Sequence, residues 1–538
     1  MEEKKLHSSH ILMFPFVFTQ EVKTVNEALT KDKCWEYKTF DVSESTQNYN
    51  EYIYFYEYVR KSLFSKKSMD EVQTSYYFEH KEQKGKYVLE VHDKEYTLSI
   101  DGISMRTFDT QVGILSLELL NHEYDNPEDI LVINDFSRRL YPQFLGGKDN
   151  LEYVTNTLLP QSVTLHLDTE IKEDFSYYKK MSNIKKDATN LPKFIHTLLG
   201  DGFSSHSLSK KIHIEPIIDD RMFVISMYIN DTLAEKMRAY DEAKEVYAYE
   251  NDEYWYRYTF VDTQSKMCQS KHMTKKLIKD TTYDRWVEWG TLFGISRYSF
   301  VALTTISFGN SILKPHMHTM YFQIFTLLLA YRASMLNFSK RVVDLKLEEL
   351  TAPDLNSSVA ELYKDYIEFE NNLFFREVTA QEQGIEIYNQ ALKVMQIEKH
   401  IKDLDSEIAE LHNYVSMKNE DAQVKNAEKR EENLATIAEI GAIFLPPTLL
   451  SGMYGMNIFD FSMSYIALLI GFISLILSAL IGYAAIKKKI SLLLATGLMI
   501  ATIVGAVCLI GQKNDSTACS IQPNLTKKEI KDVTKPAR

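Results

Sequence analysis

The chain is 538 residues long, enough for two or three domains with cores of their own. A quarter of its residues are charged and the formal net charge is -13, a balance that disfavours a nucleic-acid surface and suits a protein that tolerates cations. Its four cysteines, Cys34, Cys268, Cys508 and Cys519, are scattered without metal-ligand spacing, which argues against a disulfide framework.

The mildly polar average conceals a segregation, because the longest uncharged runs all lie after residue 439. At the other end, residues 11–18 are apolar but short and contain Pro15, so they read as a buried strand and not as a secretory signal. The N-terminal part is therefore expected in the cytosol.

From residue 1 to about 310 the pattern mixes strands and helices, an α+β domain without internal repeats. Apolar or alternating runs predict strands at 11–18, 87–91, 96–100, 113–120, 163–167, 212–217, 222–229 and 254–260, with Asp101-Gly102 as a turn. Asn126-Pro127-Glu128-Asp129 supplies a cap, a first-turn proline and first-turn acids, opening a helix to about Leu140. Asp231 opens another through Lys236, Ala243 and Val246, and 181–192 and 263–276 read as loops.

From about His316 the pattern turns to long helices: 321–350, ending before Pro353, then 357–375 and 381–417 with apolar residues at helical spacing. The last helix is expected to start near Asn419 and to run without a stop into an apolar stretch. About 38 residues of continuous helix span roughly 57 Å, a stalk plus a membrane crossing. The organisation expected is 1–310 cytosolic α/β domain, 311–433 stalk region, 434–511 transmembrane region and 512–538 polar tail.

Three hydrophobic segments, 434–456, 463–486 and 490–511, each exceed the roughly 20 residues that a helix needs to cross hydrocarbon. Lys487-Lys488-Lys489 separates the last two, whereas the loop 457–462 carries no lysine or arginine, so the lysines are expected inside and the loop outside. A multi-pass protein of the cell (inner) membrane follows, its N-terminal domain cytosolic. The third segment is a crossing, an interfacial helix or a re-entrant hairpin; length favours a crossing, while Lys513, Lys527 and Lys528 in the tail conflict with it.

The first span has a face. Leu434, Ile437 or Ala438, Gly441, Leu445, Thr448 and Gly452 recur every three or four residues and lead to Tyr454-Gly455-Met456-Asn457. Around a symmetry axis, Leu445 and Leu434 would make apolar constrictions that gate by dewetting, and Thr448 and Asn457 would supply oxygen ligands to a hydrated cation. The plainer alternative is a lipid-buried helix with small residues for packing.

Elsewhere chemistry is sparse. Gly200-Asp201-Gly202 lacks the lysine and helix of a nucleotide-hydrolysing loop, His316 and His318 are misplaced for two ligands on one helix face, and no nucleophile and base pair is discernible, so an enzyme is not indicated. Two aromatic groups beside an arginine could stack a purine: Tyr254, Trp255, Tyr256 and Tyr258 around Arg257, and Tyr283, Trp286 and Trp289 around Arg285. Neither is a strong site, since strand alternation would split the first cage and most such clusters are simply core.

Tyr454-Gly455-Met456-Asn457, placed where a charged stalk helix has just crossed a predicted membrane and followed by a span ending in lysines, resembles the signature of the CorA magnesium channel family. The resemblance implies a homopentamer in the lipid bilayer with a CorA-like cytosolic funnel. It implies Asn457 as the selectivity ligand for hydrated magnesium or another divalent cation, Gly455 and Gly452 as backbone-exposing positions beside Tyr454 and Met456, and Thr448 as a pore hydroxyl. Leu445 and Leu434 would form the hydrophobic gate. Asp219-Asp220 and the cluster Asp403, Asp405, Glu407 and Glu410 would then be regulatory carboxylates between subunits, the alternative being solvated faces.

The chain departs from the family pattern in the adjacent Pro446 and Pro447, the extra span after the lysines and the enlarged cytosolic part. That part, opening with His10-Ile11-Leu12-Met13-Phe14-Pro15-Phe16, looks like the divergent CorA-type proteins associated with type III CRISPR loci. This implies an antiviral membrane effector opened by a small nucleotide messenger, bound at a site the sequence leaves open.

Overall fold

The computed structural model describes residues 4–31, 34–142, 157–183, 191–264, 266–345, 352–455 and 465–486, with scattered positions from 494 to 508. The chain divides into two compact units, Met1–Ser416 and Met417–Arg538.

The first unit is built on one mixed sheet of 14 strands. In chain order these are β1 (Ser8–Phe18), β2 (Trp35–Tyr37), β3 (Ser75–His80), β4 (Gly85–Val91), β5 (Lys94–Phe108), β6 (Val112–Asn121) and β7 (Ser162–His166). They continue with β8 (Glu170–Asp174), β9 (Phe203–Ser204), β10 (Ile212–Pro216), β11 (Phe223–Ile229), β12 (Thr282–Tyr283), β13 (Leu292–Ile295) and β14 (Ser299–Thr304). The main path runs β12-β13-β14-β11-β1-β6-β5-β4-β7-β8.

Strand β1 is buried along its whole length, and its two-residue alternation feeds two cores. Ile11, Met13 and Val17 face one core; Leu12, Phe14, Phe16 and Phe18 face the other. A proline in a central strand normally removes a ladder hydrogen bond. Here one edge of β1 changes partner around it: Ser8 to Met13 pair with β11 and Phe16 to Phe18 with β10, so Phe14 and Pro15 fall in the gap. On the opposite edge Phe16 stands across from Gly113 of β6, and a Cβ at residue 113 would lie 2.4 Å from the Phe16 ring, which is why glycine sits there.

Helices cover both faces. On one side lie α1 (Val22–Lys31), α4 (Pro127–Ser137) and α5 (Lys193–Leu199), burying Val25, Leu29, Ile133, Phe136 and Leu198. α2 (Thr46–Tyr54) and α3 (Glu57–Leu63) belong to the other side. The parallel pair β11/β14 requires a crossover, supplied by a segment containing α6 (Asp231–Arg238), α7 (Glu253–Phe260) and α8 (Lys271–Thr281), which makes a third, aromatic core.

The long helices follow: α9 (Met320–Asp344), α10 (Ala352–Asn372), α11 (Glu382–Met395) and α12 (Ile397–Gly455). α9 is buried nearly all round, its Phe325 stacked on Phe300 of β14 at 4.3 Å, so the core of the sheet continues across residue 310. Ile397, Ile401, Leu404 and Ile408 of α12 close the same core. The second unit contains the rest of α12 and α13 (Tyr465–Ile486).

Several local expectations fail for identifiable reasons. Residues 254–260 form helix α7 instead of a strand: the Asp252 side chain accepts a hydrogen bond from the Trp255 N–H and caps the helix, overriding the β preference of the aromatic run. Asp101-Gly102 is a register slip inside the 15-residue β5, and the real turn is His92-Asp93, both left-handed. The helix from Asp231 stops at Arg238 and gives way to a hairpin pairing Tyr240–Asp241 with Val246–Tyr247, while Lys271–Thr281 is helical inside and beyond the expected loop. The single helix expected over 381–417 breaks at left-handed Gln396, so the last helix starts at Ile397 and not near Asn419.

Candidate functional site

The residues expected to form a face lie on helix α12. Leu434 and Leu445 are each 64% exposed, and Ile437, Ile440 and Phe444 are exposed beside them, an apolar ridge on a helix that is strongly charged up to Glu432. Within the unit a Cβ at Gly441 or Gly452 would meet nothing within 4 Å, so the glycines are not required by local packing. The Thr448 hydroxyl donates back to the carbonyls of Phe444 and Leu445 at 2.9 and 2.8 Å. Tyr454 and Gly455 are the last residues described in the helix, without side-chain detail; Met456 and Asn457 lie outside the described residues, as do the loop 457–462 and most of 490–511.

α13 shows opposite faces of different size. Gly471, Ser474 and Ser478 are buried, whereas Leu469, Phe472, Ile473, Ile476 and Leu480 are exposed. Small residues inward and large apolar ones outward is the arrangement of a helix whose outer surface meets lipid. Taken over the described residues alone, no helix is long and apolar enough to cross a membrane. Side chains at several positions of α13 lie outside that description, and its whole sequence is 22 residues without a charge. Such a helix is roughly 33 Å long, the thickness of a hydrocarbon core.

The weaker candidates are placed as follows. Asp403, Asp405, Glu407 and Glu410 are exposed on α12 around the buried Leu404 and Ile408. Asp219 accepts from the Arg221 guanidinium at 2.7 Å; against burial, a hydrogen bond with the Asp220 side chain and then Arg221 hold its carboxyl below the usual range. Among the described residues no His, Cys, Asp and Glu side chains converge closely enough to hold a metal ion. In the first aromatic group Trp255 and Tyr258 are wholly buried, and Arg257 holds Glu128 through two hydrogen bonds of 3.0 and 2.8 Å. In the second, Arg285 pairs with Glu382 and Glu386 of α11 at 2.7 and 2.6 Å. Both guanidiniums are held by carboxylates, and that of Arg285 also lies over the Trp286 ring at 5.9 Å.

A polar cavity that sequence reasoning missed lies inside the first unit. It has a volume of about 310 Å³ and is walled by the segment after β2, α2, the end of α3, β3, β5, β6 and the start of α9. Gln323 donates its amide N–H to Glu51 at 2.8 Å, and its Oε1 is buried without a partner. His318 Nδ1 is 2.8 Å from Glu118, and its Nε2 is likewise buried without one. Burial pushes the Glu51 carboxyl up to about 7 and raises that of Glu79. Burial also lowers the Arg106 guanidinium to about 10; it donates to the Leu63 carbonyl and lies over the Tyr77 ring at 5.2 Å. The one sequence signal was polarity out of place: Gln323 in the apolar start of α9, Arg106 and Glu118 in buried strands.

Comparison with known proteins bears on the second half of the chain. No curated protein and no solved structure matches it. Residues 309–488, about a third of the sequence, match the family model described as CorA-like Mg2+ transporter protein, a stretch that begins just before α9 and ends within the lysines after α13. An α/β unit followed by long helices fits the layout of that family, whose members are membrane transporters. Over residues 309–488 the chain is similar to the CorA-like Mg2+ transporter family.

Proposed function

We propose that this chain forms a homopentameric cation channel of the cell membrane, with the C-terminal part of α12 lining the pore and the first unit in the cytosol. The observation that carries the reading is the order of parts inside the family match: a helix unbroken to Gly455, Met456-Asn457 directly after it, and then a 22-residue helix without charge. Asn457 would meet a hydrated divalent cation, magnesium above all, at the outer mouth, and Leu445 and Leu434 would be the hydrophobic constrictions. Thr448 and Gly452 would face the ion path, and Asp403, Asp405, Glu407 and Glu410 would bind regulatory cations between subunits.

The size of the first unit supports ligand gating, with a small nucleotide messenger as the agonist and antiviral defence of the CRISPR-associated kind as the role. The family description favours a second reading, a housekeeping magnesium transporter. Reconstitution of the full chain into liposomes loaded with a magnesium-sensitive dye separates them. Flux that requires a nucleotide messenger supports the effector, constitutive flux supports the transporter, and loss of either in Asn457→Ala supports the pore. Absence of flux under every ligand refutes the channel and leaves a membrane-anchored sensor.

A further inference from the structure

The cavity beside α9 has the features of a built binding site. Its lining carries five carboxyl groups, Asp41, Glu44, Glu51, Glu79 and Glu118, against two permanent cations, Lys38 and Arg106. Both cations make their closest contacts outside the cluster, Lys38 at 3.0 Å from Glu36 and Arg106 to the Leu63 carbonyl and over the Tyr77 ring, and act only at longer range on Glu44, Glu79 and Glu51. Gln323 lines the cavity and is 6% exposed, and its side-chain carbonyl oxygen is buried and meets no donor. An acceptor left unmatched in this way carries a desolvation cost. The natural place to recover that cost is a ligand.

Phe40, Phe64 and Phe322 give the cavity an apolar wall, the first two with ring centroids 4.2 Å apart. A metal ion does not suit it, because among the described residues no set of ligating side chains converges. What the lining lacks is a donor that is positively charged, with a flat or apolar body to lie on the phenylalanines. The volume is at the lower end of small-molecule sites.

We propose that this cavity binds a small organic cation, an amine or amidinium whose N–H groups donate to the Gln323 carbonyl and the Glu51 carboxylate while its body rests on the aromatic wall. The site belongs wholly to the first unit and stands whether or not the chain conducts ions.

The test is calorimetric titration of the full-length protein in detergent at pH 8 with benzamidine and agmatine, against benzamide as an uncharged isostere and magnesium chloride. The expected result is saturable binding of a cationic probe at least tenfold tighter than benzamide, weakened at least tenfold in Glu51→Gln and in Gln323→Met. Melting curves of the two variants establish that they are folded, and Glu51→Gln, which keeps the shape and the hydrogen bond to Gln323, serves if Gln323→Met does not fold. Absence of binding by both cations, equal binding of benzamide, or full affinity in folded Glu51→Gln overturns the proposal. Magnesium binding that is lost in Glu51→Gln overturns it as well, by making the cavity a metal site.

Discussion

Glu51 makes a quantitative prediction about stability and pH. Its side chain is 6% exposed, and burial raises its carboxyl from 4.5 to about 7; the hydrogen bond from the Gln323 amide at 2.8 Å and then Arg106 offset this only in part, and Glu118 adds to it. Between those two pH values the unfolded chain has released the proton and the folded chain has kept it. The folded state therefore binds more protons, and stability falls as pH rises through this window. A displacement of about 2.5 pH units corresponds to roughly 3 kcal/mol lost between about pH 4.5 and pH 7 from this group alone.

Glu51→Gln keeps the amide contact and removes the titration. Asp109 and Asp220, also raised to about 7, titrate in both proteins, so the difference isolates Glu51. Melting temperatures of the full chain, wild type and Glu51→Gln, measured from pH 5 to pH 8, should converge at the acid end and separate by a few degrees at the alkaline end, with the variant the more stable. Parallel curves would refute the reasoning, because they would mean that Glu51 is solvated or ionised in the fold.

Trp255→Ala should lower the stability of the first unit by about 3–5 kcal/mol, seen as an earlier denaturant midpoint, because the ring is wholly buried and its Nε1 donates to Thr282 at 2.9 Å. A ligand-stacking residue would leave the midpoint unchanged. Gly113→Ala should cost about 1–3 kcal/mol from the collision with Phe16, and Phe16→Leu in the same chain should recover part of it in the same denaturation assay. If α12 lines a pore, Leu445→Ser should wet the constriction and raise ligand-independent ion leak in liposomes, whereas exposed Val424→Ser on the charged part of the same helix should not.

Much of the sheet was legible because its strands alternate or run apolar between turn residues, as β1 and β6 do. Where several principles competed, the pattern misled. The aromatic run of α7 has the composition of a strand, and only its Asp252 cap and packing against β13 and β14 make it helical. The break at Gln396 carries no glycine or proline to announce it. The face of α12 was legible because a 3.6-residue period survives in any helix, whatever surrounds it. The cavity was not, since Glu51, Arg106, Glu118 and Gln323 come from four elements and only the sheet and α9 together bring them to one wall.

The partner change along β1 has a consequence for how the chain tolerates alteration. Register in a sheet is usually shared, so that lengthening one connection slides a whole strand by a residue and turns its buried side chains outward. At Phe14 and Pro15 the ladder is already interrupted, and β10 and β11 each grip their own half of β1. An insertion in the stretch 217–222 that joins them would be absorbed at that seam, leaving both halves in register.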